Sequence, residues 1–176
     1  MQMGLTRQLG GALVLCGLFF LSPVSVAAPE PVLSSAEQTR YLTEIKRLYL
    51  TDDERKALFA HTNALLRSYA LSAGYQVGSS DRRDLEYQVS LAKPGELMLR
   101  EEVRATSGTG VSVRNRLLPV FGVDPSISYA CPREGQACVL NVPGSTEPML
   151  TIVRDLDGAG QLAKAFSFLI RNLQKG

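Results

Sequence analysis

His61 is the only histidine in the chain, and it is therefore the only side chain that could act as the base of a Ser-His-Asp or Cys-His mechanism. It lies three residues after Leu58 and four before Leu65, at the edge of the apolar stripe of a predicted helix. A histidine on the flank of a helix commonly packs against its neighbours without moving protons. We therefore predict no catalytic residue, and an envelope hydrolase that uses His61 is the third of our functional hypotheses.

A metal site would have to be built from carboxylates, because the chain offers one histidine and its cysteines have another use. The segment 155–158, Asp-Leu-Asp-Gly, begins like a calcium loop but has no glutamate at the twelfth position, so helix capping explains it better. We predict neither a metal nor a cofactor.

Cys131 and Cys138 stand at the two ends of a short polar loop, and the third cysteine, Cys16, lies in the N-terminal segment. An even pair of cysteines in an oxidising compartment predicts a disulfide. Catalytic redox pairs usually lie two residues apart at the start of a helix, which this pair does not. The predicted bond is structural, and closing a loop of about eight residues should stabilise the fold by roughly 2 to 3 kcal/mol.

Two polar residues, Glu101 and Asn115, interrupt the apolar alternation of two adjacent predicted strands. If Val103 pairs with Val113, Glu101 lies opposite Asn115 on the inward face. A buried carboxylate is costly unless it is satisfied. The pair would then form a specific polar network or line a ligand-binding cleft, unless both residues lie near a sheet edge and reach water.

Two loops are the predicted surface for a protein partner. The first is the hairpin tip 107–110, Ser-Gly-Thr-Gly, where Ser107 and Thr109 are the polar side chains. It could cradle an anion, but phosphate loops lead from a strand into a helix and this one joins two strands. The second is the cysteine-bounded loop, in which Arg133 and Glu134 are the charged residues.

The first 27 residues have the three marks of a secretory signal peptide. Arg7 is the only charge, residues 9–21 are apolar, and the segment ends in Ser25-Val26-Ala27. We place the cleavage after Ala27. A retained anchor would need about 20 apolar residues, and a lipoprotein would need a small residue before Cys16, where the chain has leucine.

The predicted mature chain is close to electrically neutral. Removing 27 of the 176 residues leaves 149, a typical size for one domain. The removed segment carries one of the chain's 19 basic residues and none of its 17 acidic ones, so 18 basic residues remain. This balance does not favour nucleic acid or an anionic membrane as a partner, and after cleavage no stable membrane anchor is expected.

The rest of the chain predicts one α+β domain over residues 34–176, preceded by an extended leader at 28–33. Ser34 and Glu37 form a capping box for the first helix. Thr51 is the predicted N-cap of the second helix, which should run to about Ala73. Apolar positions then recur every second residue. They predict an antiparallel five- or six-stranded meander, followed by a C-terminal helix on one face of the sheet.

Three functional hypotheses follow for a periplasmic or secreted protein. The first is a non-enzymatic protein that binds another protein of the cell envelope, such as an assembly factor, an enzyme inhibitor or an immunity protein. The second is a carrier that holds a small apolar ligand between the sheet and the C-terminal helix, with Glu101 and Asn115 as polar anchors. The third is the hydrolase that would depend on His61.

Overall fold

The structure, a computed structural model, describes residues 35–106 and 110–176. The predicted signal peptide (1–27), the leader (28–33) and the capping residue Ser34 lie outside the described residues. So do Ser107 and Thr109 of the predicted partner surface.

Three helices and six strands form the described part of the chain. The helices are α1 (Ser35–Leu48), α2 (Glu54–Ser68) and α3 (Leu156–Gln174), and one turn of 3-10 helix spans Ala73–Tyr75. The strands are β1 (Arg83–Lys93), β2 (Glu96–Ala105), β3 (Val111–Pro119), β4 (Tyr129–Ala130), β5 (Ala137–Asn141) and β6 (Pro148–Val153). The predicted α+β class, with antiparallel strands and a C-terminal helix, is confirmed. Within these described ranges no helix has both the length and the apolarity needed to cross a bilayer.

Helix α2 differs from its prediction at both ends. Its N-cap is Asp53, whose Oδ1 accepts a hydrogen bond from the Lys56 amide at 3.0 Å, and Thr51 instead accepts the Asp53 amide through its hydroxyl at 3.3 Å. The helix ends at Ser68 and does not reach Ala73. The residues after it leave the helix because they pair with strands.

The strands form two three-stranded sheets, so the prediction of one five- or six-stranded meander was wrong. The first sheet has the order β1-β2-β3 and the second has the order β4-β5-β6, and all their pairings are antiparallel. Each sheet is a meander of consecutive strands, which is the part of the topology that the alternating pattern predicted.

The separation of the sheets has two physical causes. The segment after α2 lies between them, since Ala70 forms a bridge with Ile152 of β6 and Leu71 forms one with Leu85 of β1. The connection from β3 to β4 runs along α3 instead of turning back into the first sheet. The Gln174 side chain donates hydrogen bonds to the carbonyls of Val120 and Val123, at 2.7 and 2.9 Å.

Helix α2 covers the outer edge of β1. The Asn63 side chain accepts the Val89 amide at 2.8 Å and donates to the Val89 carbonyl at 2.9 Å. It also donates to the Phe59 carbonyl, at 3.0 Å, within its own helix. One amide side chain therefore satisfies both backbone groups of a residue that would otherwise be unpaired at the sheet edge.

Helix α3 supplies the largest share of the core, and it packs against α2, β4 and β5. Its fully buried side chains fill the space between the helices and the second sheet. They include Leu162, Phe166, Phe168, Leu169 and Ile170. The predicted C-terminal helix is confirmed, and its large side chains form a packed layer.

Candidate functional site

The pairing of β2 with β3 differs by one residue from the predicted register. Val103 pairs with Ser112 instead of Val113, and Glu101 consequently lies opposite Arg114. Leu118 pairs with Leu97 and is 4 % exposed, so the second leucine of the Leu117-Leu118 pair enters the core. A slip of one residue moves every side chain of a strand to the other face.

The structure therefore does not bring Glu101 and Asn115 together. Asn115 pairs with Arg100 and is exposed, on the face of the first sheet that we name the outer face. Glu101 is on the opposite, inner face. Their role as joint ligand anchors stays a prediction, although the two side chains lie on opposite faces of the sheet.

The outer face of β3 is rich in apolar side chains that reach solvent. Val111, Val113 and Leu117 are 48 %, 45 % and 54 % exposed, and the partly exposed Met98 of β2 lies opposite Leu117. With Val103 paired to Val113, these three β3 residues and Asn115 would all face inward, and the prediction therefore placed them in the core. The Leu117-Leu118 pair is the sequence signal for the observed register. Each register buries one of the two leucines, so the pair is compatible with both.

Two arginines occupy the inner face of β3. Arg114 is 4.0 Å from the Glu101 carboxylate and its side chain is 72 % exposed. Arg116 donates to the Glu147 carboxylate and to the Pro148 carbonyl, both at 2.9 Å, and thereby links β3 to the second sheet. The guanidinium of Arg114 is thus the more accessible of the two.

Glu101 also belongs to a hydrogen-bonded chain that enters the protein. The Tyr87 hydroxyl donates to Glu101 at 3.0 Å and accepts the Thr151 amide of β6 at 3.3 Å. Burial, followed by the nearby Glu101 carboxylate, raises the pKa of Tyr87 to about 12. Tyr87 therefore remains a neutral donor at physiological pH, and Glu101 is held at the boundary between the sheets.

The charges on the outer face of β2 are already paired. Arg100 donates to Glu102 through Nε at 3.0 Å, and Arg104 approaches the same carboxylate at 3.4 Å. Hydrogen bonds from Arg100 and then Arg104 lower the pKa of Glu102. The carboxylate is therefore ionised and compensated within the protein.

A surface cleft of about 440 Å³ lies where α2 meets this outer face. It is lined by Leu66, Arg67, Ala70, Glu86, Tyr87, Gln88, Arg100 and Glu102. Its lining carries both signs of charge, and Arg100 and Glu102 are bonded to each other. The cleft consequently favours no single class of ligand.

The four strands at the edges of the two sheets differ in what lies against their outer side. The edge of β1 is covered by Asn63, and that of β6 by Tyr69, whose carbonyl accepts the Val153 amide at 3.0 Å. β4 contains only two residues. β3 is nine residues long, and no strand from the described parts of the chain pairs with its outer edge. Among the described residues, β3 is the longest strand whose outer edge has no hydrogen-bonded neighbour.

The predicted disulfide is confirmed. Cys131 and Cys138 are joined across the hairpin of β4 and β5. The loop between them is held by a hydrogen bond from Arg154 to the Pro132 carbonyl at 2.9 Å, and by one from Gln136 to the Val77 carbonyl at 2.6 Å. The bond and these contacts make the loop a constrained surface feature.

The charged residues Arg133 and Glu134 of this loop are exposed, as a partner surface requires. Their partners in that prediction, Ser107 and Thr109, fall in the part of the chain that is not described. The loop's role in binding another protein therefore stays a prediction.

His61 lies in an aromatic environment between α1 and α2. Its Nδ1 is 3.4 Å from the Tyr49 hydroxyl, and its ring makes edge contacts with the rings of Tyr41 and Tyr49 at centroid distances of 5.6 and 5.9 Å. Burial lowers the pKa of His61 below its ordinary value of 6.5, against a smaller raising effect of Glu44. These contacts fit a packed structural histidine.

We expect His61 to make the stability of the protein depend on pH. Since the pKa of the ring is lower in the folded state, unfolding takes up a proton, and the free energy of unfolding should fall as the pH decreases through 6.5. His61→Gln should reduce this slope between about pH 7.5 and about pH 5. Thermal melts of both proteins across that range measure the difference, and identical slopes would contradict the assignment.

Neither a search for metal-binding clusters nor comparisons with known proteins adds a functional assignment. Within residues 35–106 and 110–176, no three His, Cys, Asp or Glu side chains are grouped closely enough to hold a metal ion. Comparisons of the chain with family models, curated proteins and solved structures found no match.

Proposed function

We propose that this protein is exported across an inner membrane and acts by binding another protein, an extended segment of which pairs with the open edge of β3. The supporting observation is the contrast between strand edges. β1 and β6 are covered by Asn63 and Tyr69, β4 is short, and β3 has a nine-residue edge with no partner among the described residues. Open edges present rows of backbone donors and acceptors that readily pair with another chain.

The side chains of β3 strengthen this proposal. Val111, Val113 and Leu117 form a row of exposed apolar groups along one face of the strand. A pairing segment would cover them with its own side chains on that face, and the apolar area removed from water would add to the backbone hydrogen bonds. Such a partner fits the expected roles of an envelope assembly factor, an enzyme inhibitor or an immunity protein.

The carrier hypothesis receives less support from the packing. A ligand held between the sheet and α3 would need space that is occupied by Phe166, Phe168 and Leu169, each 0 % exposed. The hydrolase hypothesis depends on His61, whose contacts are with the rings of Tyr41 and Tyr49. We therefore retain protein binding as the proposed function.

Site-directed photo-crosslinking in the native cell tests the binding surface. A benzophenone amino acid at Val113 or Leu117 should crosslink to a partner protein, whereas the same probe at Leu48 of α1, which is 62 % exposed, should not. The double variant Val113→Lys, Leu117→Lys should lose the partner in affinity purification, and Leu48→Lys should retain it. Retention of the partner by the double variant, with loss on changing Arg133 and Glu134, would move the surface to the disulfide loop.

Export is tested separately by the N-terminal sequence of the protein recovered from the cell envelope fraction. The proposal expects this sequence to begin at Ala28. Recovery of the chain from the cytosol with Met1 in place would contradict the export half of the proposal.

A further inference from the structure

We propose, resting on the function above, that the segment received by β3 is a strand in which acidic residues alternate with apolar ones. The two faces of β3 differ in chemistry. The outer face presents Val111, Val113 and Leu117, and the inner face presents Arg114 and Arg116. A strand added beside β3 places alternate side chains opposite these two sets.

Charge determines the inner-face positions of the partner. β3 contains two arginines and no acidic residue. The Arg114 side chain is 72 % exposed, and the ion pair that it makes with Glu101 is 4.0 Å long. A carboxylate of the partner, opposite Arg114, would form a closer charge-assisted contact, and a lysine there would be repelled.

The outer face of β3 determines the apolar positions of the partner segment. Val111 and Val113 are nearly half exposed and Leu117 slightly more than half. Aliphatic or aromatic side chains on the same face of the added strand would pack across from them, as in other cross-strand pairs. The recognised segment therefore has apolar residues opposite Val113 and Leu117 and an acidic residue opposite Arg114, and the position opposite Asn115 is left unspecified.

The same charges disfavour a second copy of the chain as the occupant. Antiparallel self-pairing over most of β3 is centred on Arg114, Asn115 or Arg116. The first and third registers place an arginine opposite itself, and the second places Arg114 opposite Arg116 twice. Like charges directly opposite each other destabilise a strand pair.

Selection of displayed peptides tests the inference with the full chain purified in its oxidised form. From a library of random nonapeptides, the protein should enrich sequences in which Asp or Glu alternates with apolar residues. A selected peptide, measured by fluorescence anisotropy, should bind Arg114→Glu at least about tenfold more weakly. Arg47→Glu makes the same charge change at an exposed site on α1 and should alter the affinity less than about threefold.

Exchanging the charges between the peptide and the protein gives a reciprocal test. The selected peptide with lysine in place of its acidic residues should bind Arg114→Glu better than the unchanged protein, while circular dichroism shows that both proteins are folded. Enrichment of apolar peptides that require Val113 but ignore Arg114 would overturn the acidic pattern and leave strand addition intact. Peptides that bind independently of Val113 and Leu117 would overturn both, and a dimer abolished by Val113→Lys would identify a second copy as the occupant.

Discussion

Asn63→Leu should lower the free energy of unfolding by about 3 kcal/mol and the melting temperature by about 6 to 12 °C. Leucine has a similar volume but cannot hydrogen-bond, so the amide and carbonyl of Val89 would lose partners that now lie at 2.8 and 2.9 Å. Both groups lie between α2 and the edge of β1, where the new side chain would also keep water away. Urea denaturation followed by circular dichroism gives the free energy directly.

Asn115→Leu is the matched control for this effect. Asn115 is exposed on β3, so the same substitution there should change the stability by less than about 0.5 kcal/mol. Asn63→Asp should also destabilise the protein, because its second carboxylate oxygen would face the carbonyls of Val89 and Phe59 that now accept from the amide. Equal stability of Asn63→Leu and the unchanged protein would mean that α2 does not protect the edge of β1.

Gly158→Ala should destabilise the protein by about 2 to 3 kcal/mol, although alanine favours helices over glycine. A Cβ atom at Gly158 would lie 2.5 Å from two ring carbons of Tyr69. The ring has little freedom to withdraw, since the Tyr69 carbonyl accepts the Val153 amide at 3.0 Å and the next residue, Ala70, bridges to Ile152. Thermal and urea unfolding of the variant measure the loss.

Gly160→Ala provides the control within the same helix. Its Cβ would lie 3.3 Å from the Tyr129 hydroxyl, the outer end of a side chain, so the variant should be neutral or more stable by up to about 1 kcal/mol. In the double variant Tyr69→Leu, Gly158→Ala, the cost of the alanine should largely disappear because the ring is gone. A full cost of Gly158→Ala in that background would show that Tyr69 is not its cause.

Local signals in the sequence predicted most of the secondary structure correctly. Apolar spacing located the three helices, and alternation located β1, β2, β3, β5 and β6. Pro94 and Gly95, two residues that favour a turn, lie between β1 and β2, and the φ of 78° at Gly95 suits glycine. The cysteine pair was also predictable, because its two members lie at the ends of one short hairpin.

The candidate site could not be predicted from the same signals. Alternation identified β3 as a strand, but the apolar row was assigned to the core. Either Leu117 or Leu118 can enter the core while the strand keeps its alternation, and the two choices turn opposite faces of β3 to solvent. The pairing of Leu118 with Leu97 decides between them, and it depends on a partner strand about twenty residues away.

Helix periodicity, strand alternation, turn residues and the cysteine hairpin have causes that lie within a few residues, so the sequence predicts them. Contacts across the fold fix which strands share a sheet, which face of β3 is exposed and which strand edge has no neighbour among the described residues. These properties depend on contacts between distant segments, such as Ala70 with Ile152, Leu71 with Leu85, and Gln174 with Val120. Their energies belong to pairs of residues that no local pattern brings together, so the sequence alone could not predict which face of β3 is exposed.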